Sequence, residues 1–126
     1  MISLEEYEHI VEELLDELPE EFFKELSGGV VVSESLVIPD YARGPDICTL
    51  GQYQVDFGIR QIKLFKGSFD RLHPQADGAE ARRILRGVLR HEFRHHLEFL
   101  SGIRNSSSLE AQDEREKRAY LAFHGE

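Results

Sequence analysis

A chain of 126 residues, 40% of them hydrophobic, is long enough for one compact domain with its own core, so residues 1–126 are expected to form a single domain. Its formal charge of −9 argues against a general nucleic-acid binder, which needs a basic footprint, and against docking on an anionic membrane. Cys48 is the only cysteine, which excludes an internal disulfide and a cysteine-based zinc knuckle.

The opening "MISLEEYEH" has no basic or apolar stretch of the kind a signal peptide carries, and no apolar run approaches the length of a membrane span. The expected location is the cytoplasm. Ser3 stands three residues before Glu6, a capping box. Leu4, Tyr7, Val11, Leu14 and Leu18 then follow at steps of three and four, which predicts an amphipathic helix with an acidic outer face. "PEEFFKEL" suits a short second helix with proline at its first position, stopped by Ser27-Gly28-Gly29.

"VVVSESLVI" is β-branched and partly alternating, which predicts a strand from Val30. "CTLGQYQV" predicts a second strand, interrupted by Gly51, and Asp56-Phe57-Gly58 reads as a turn. "RQIKLF" predicts a third strand with Ile62 and Leu64 on one face; "SFDRL" then makes a helical turn. Residues 78 to about 100 predict a long helix that Gly102 stops, and Ser107 or Ser108 can cap a last helix to about residue 123. The order of elements implies an α+β domain with a small sheet. The run Arg82, Arg83, Arg86, Arg90 and Arg94 is read as a solvated helix face paired with acidic neighbours.

The long helix carries "HEFRHH" at residues 91–96. At about 100° per residue, His95 lies about 40° and Glu92 about 100° from His91, on the arc that also holds Ile84, Val88, Leu85 and Leu89. Gly87 and the arginines fill the far side. A carboxylate on a core arc is costly unless it is paired or coordinating. Two imidazoles one turn apart can point at one ion, and a glutamate beside them can act on a water at that ion. His91 and His95 are therefore expected to be metal ligands, with Glu92 as general base. The plain alternative is a glutamate paired to an arginine beside satisfied core histidines. His96 is expected to pack or hydrogen-bond rather than ligate.

A catalytic zinc takes three protein ligands and keeps one position open. The candidates for the third are Glu110, Asp113, Glu114 and Glu116, in a helix able to fold back on the first. Asp113 is the expected ligand and Glu110 the alternative, since Glu110 can also serve a capping box with Ser107. The cofactor is expected to be one Zn2+ per chain. A peptide or protein substrate is expected to add to a sheet edge along residues 61–65, with neither nucleic acid nor membrane as partner. Tyr53, Tyr120 and the arginines are the available oxyanion donors.

In "LPEEF", "IKLFKGSF", "LRHEFRHHLE" and "LEAQD" the chain resembles the small bacterial zincin-like metallopeptidases, or minimal zincins. That resemblance implies a short mixed sheet packed on the HExxH helix, one zinc, His91 and His95 as ligands, and Glu92 as base. One form of the family pattern has a glycine three residues after the second histidine and an aspartate three further on. Glu98 and Ser101 occupy those positions here, whereas Leu109, Glu110 and Asp113 match a longer form. The function expected is a zinc-dependent hydrolase, by resemblance a peptidase; the alternative is a non-catalytic module with a structural zinc that binds a peptide or partner.

Overall fold

The structure, a computed structural model, describes residues 1–42 and 47–102. The Ser3 hydroxyl accepts from the Glu6 N–H at 3.1 Å and opens α1 (Leu4–Asp16). That bond satisfies one of the donors a helix start leaves unpaired. Tyr7, Ile10, Val11 and Leu14 form the buried stripe of α1. The helix expected over "PEEFFKEL" is only a 3₁₀ turn, Glu20–Phe23. Lys24 leaves the helical region and Glu25 takes a left-handed φ of 61°, which turns the chain toward the sheet. Phe22 and Phe23 pack against Phe93 with ring centroids 6.4 and 5.2 Å away. Aromatic packing, not helix length, holds this segment.

Three strands form a mixed sheet: β1 (Gly29–Ser33), β2 (Gly51–Asp56) and β3 (Ile59–Phe65), in the order β1-β3-β2. β1 runs parallel to β3 and β2 antiparallel to it. Phe57 and Gly58 close the β2–β3 hairpin with φ of 50° and 79°, the left-handed pair that a two-residue turn needs. Val30 pairs with Ile62 and Val32 with Leu64, while Tyr53 pairs with Ile62 from the other side. Those side chains share one face, and Ile62 and Leu64 are fully buried on it.

The strand expected to run on through Ile38 stops at Ser33 because the chain leaves the sheet to cross α2 (Lys66–Leu72). A Cβ on Gly67 would lie 2.6 Å from the Glu34 carbonyl and 2.7 Å from the Leu36 nitrogen, so the crossing requires glycine there. The Ser68 hydroxyl accepts from the Val37 N–H at 2.8 Å and donates to the Val37 carbonyl at 3.3 Å.

The long helix α3 (Gly78–Ser101) starts on the Asp77 carboxylate, which accepts from the Glu80 N–H at 2.8 Å, and ends on Gly102 at a φ of 73°. Ala81, Leu85, Leu89 and Phe93 join Tyr7, Leu14, Ile62 and Leu64 in one core. Arg82 bonds Glu13, and Arg86 grips Glu17 through two nitrogens at 3.1 and 2.9 Å. Arg82 and Arg86 thus meet glutamates at the end of α1, while Arg83 and Arg94 pair with Glu80 and Glu98 on α3 itself. The fold is α+β with a small mixed sheet. Among the described residues no helix is long and apolar enough to cross a membrane. The last helix, expected from Ser107 or Ser108, lies outside the described residues.

Candidate metal and catalytic site

His91 and His95 stand one turn apart on α3, so their side chains leave the same side of the helix. Their ring centroids are 4.8 Å apart with the planes at 80°, and both residues are half-buried. Two imidazoles held by one tetrahedral zinc at the usual Zn–N distance have centroids roughly 5 Å apart. The centroid spacing of this pair is of that size. Glu92 lies on the inward side at only 7% exposure. Such a position is costly for a carboxylate unless it is paired or coordinating.

A groove of about 500 Å³ opens at His91 and Glu92. Tyr41, Cys48 and Thr49 enter its wall from the segment that leads into β2. Nothing in the spacing of those residues ties them to α3, and the sequence reading missed them. What brings them there is Gly51, where a Cβ would lie 2.7 Å from Val88 Cγ1. The glycine that interrupts the strand pattern is thus the signal for a close approach between strand and helix. Gly87, assigned by the wheel to the far side, also lines the groove.

His96 is fully buried and makes two directed bonds. Its Nε2 lies 2.9 Å from the Lys24 carbonyl oxygen, which can only accept, so Nε2 carries the proton. Nδ1 then accepts from the Tyr53 hydroxyl at 2.7 Å. His96 is a hydrogen-bonding residue of the core, as expected. The Tyr53 hydroxyl, offered above as an oxyanion donor, is committed to it, and burial holds that phenol above its ordinary pKa.

One further expectation changes. The open edge anticipated along residues 61–65 does not exist, because β3 is the middle strand and pairs on both sides. The sheet ends instead on β1 and β2. Asp113 and Glu110, the expected third ligand and its alternative, lie outside the described residues, as do Glu114, Glu116 and Tyr120. Among the described residues no group of three or more His, Cys, Asp or Glu side chains could hold a metal ion. The described part of the chain supplies a pair of imidazoles and a neighbouring carboxylate.

No protein-family model matches the chain, and no curated protein matches it. Among solved structures it is similar to a conserved hypothetical protein from Thermus thermophilus. The two are 29% identical, the match covers 79% of this chain and 98% of that one, and the TM-score is 0.66. That description carries no activity, and the likeness supports the fold.

Proposed function

We propose that this chain is a zinc-dependent hydrolase with a zincin-like arrangement, acting as a peptidase in the cytoplasm. The observation that carries the reading is the adjacent His91 and His95 rings, 4.8 Å apart, with His91 and the buried Glu92 lining a groove. His91 and His95 would hold the ion as neutral imidazoles, and Asp113, or alternatively Glu110, would complete the set from beyond Gly102. A bound zinc supplies Lewis acidity, which makes water a nucleophile near neutral pH and polarises a carbonyl. Glu92 accepts a proton from the attacking water at its carboxylate oxygen and returns it to the leaving amine. The groove wall of Tyr41 and of residues 47–51 bounds the space in which a peptide would lie across these groups.

The test is metal content by elemental analysis of protein purified without added metal and without a histidine tag. About one zinc per chain, lost in His95→Ala, is the expected result. Protein that takes up no metal even when zinc is offered would overturn the site. Stoichiometric metal with four protein ligands and no hydrolysis of any peptide would make the zinc a structural staple and the chain a binding module.

A further inference from the structure

Gly87 is out of keeping with its place in α3. It sits mid-helix, where glycine is the poorest choice after proline. Its backbone does not require glycine, since the positive-φ glycines are Gly29, Gly58 and Gly102. Its surroundings do not require it either, because a Cβ built there meets nothing within 4 Å. Gly51 across the groove is the contrast: there the close approach of Val88 demands the absence of a side chain. Helix stability thus argues for alanine or larger at position 87, and packing raises no objection.

What lies over Gly87 is the groove. Gly87 stands one turn before His91 on the same side of the helix, and both line the space. Ile47, Leu50, Ile84 and Val88 line it with them, and Glu92 sets a carboxylate at the same wall. The aliphatic side chains of Ile47, Leu50, Ile84 and Val88 favour an apolar occupant beside the polar His91 and Glu92. We infer that Gly87 determines specificity: its missing side chain keeps open a lane along α3, and the groove beyond it takes an aliphatic side chain, of leucine or isoleucine size, next to the bond to be cut. This rests on reading His91, Glu92 and His95 as a hydrolytic centre.

The experiment uses the zinc-loaded protein, Gly87→Ala and Gly87→Leu, with two readouts. One is an amide NMR titration with N-acetyl-leucinamide, and with N-acetyl-aspartate amide as its acidic counterpart. The other is cleavage of a mixed peptide library read by mass spectrometry. Gly87→Ala should melt at or above the parent's temperature, which shows that the fold does not want glycine. The leucine probe should shift the amides of Gly51, Gly87 and Val88 in the parent, bind at least tenfold more weakly to Gly87→Leu, and outcompete the acidic probe. Cleavage should fall beside aliphatic residues, and its kcat/KM in Gly87→Leu should drop by roughly 10- to 200-fold, the range by which pocket volume discriminates. Equal binding of the leucine probe to parent and Gly87→Leu would overturn the inference whether or not peptides are cut. Probe binding that depends on Gly87, with no cleavage at all, would overturn the hydrolase reading while upholding the groove as an aliphatic site.

Discussion

Over its first three turns α3 buries Ala81, Leu85 and Leu89 and turns Arg82 and Arg86 onto the glutamates of α1. Over its later turns the same helix buries Glu92 and His96 beside Phe93. The first half needs no explanation beyond stability, because apolar groups go inward and charges meet opposite charges at the surface. In the second half the buried set includes a carboxylate and an imidazole, which need polar partners where an apolar residue does not. The buried set of this helix thus changes along its axis from wholly apolar to partly polar.

The contrast can be broken at Glu92 first. Glu92→Gln should lower peptide hydrolysis by about 10²- to 10⁴-fold, the usual worth of a general base, while metal content and circular dichroism stay as in the parent. Full activity in that variant on a true substrate would remove Glu92 from the mechanism. Leu85→Ala attacks the other half and should cost about 2–5 kcal/mol in denaturant unfolding, with zinc per folded chain unchanged. A cost well under about 1 kcal/mol would mean that the first half is not the anchor described here. Tyr53→Phe removes the donor to His96 Nδ1 and leaves a buried acceptor unsatisfied, for about 1–3 kcal/mol.

The smallest effect sharpens the comparison by pH. Hydrogen bonds from Arg82 and Arg86 hold the Glu13 and Glu17 carboxyls below the usual glutamate value. Lowered folded-state values mean that this contribution is complete above the ordinary glutamate range and is lost as pH falls through the lowered values. Both carboxylates are exposed, so the effect is small and is screened by salt. Glu17→Gln should therefore lower Tm slightly at neutral pH and leave it unchanged in strong acid. An equal deficit at both pH values would mean that Glu17 acts by packing rather than by charge.

Much of this organisation is legible in the residues. Ser3 and Gly102 mark helix ends, and the steps from Tyr7 to Leu14 mark a buried face. Alternation through Ile62 and Leu64 marks the inner row of β3. Glu92 and His96 fall on the core arc by angle alone. The residues do not show which strand lies in the middle, because register and order depend on contacts far apart in the chain. That is why residues 61–65 read as an edge. Nor do they show that a 3₁₀ turn replaces a helix at Glu20, since the packing of Phe22 and Phe23 on Phe93 decides it. The wall of the groove is hidden for the same reason: Gly51 reads as a flaw in a strand until its approach to Val88 is known.

The paired bonds of His96 have a mechanical consequence. A helix held only by greasy contacts can roll about its axis, because dispersion is nearly indifferent to small angles. A roll of about 20° would carry a side-chain tip some 2 Å along its arc, enough to break a hydrogen bond of ordinary length. His96 bonds the Lys24 carbonyl and the Tyr53 hydroxyl from diverging edges of its ring, so such a roll would stretch one or the other. The last histidine of "HEFRHH" thereby works as an angular index for the two before it. A turn after α1 and the hydroxyl of an edge strand thus join the Arg82 and Arg86 pairs in holding the direction in which His91 and His95 face.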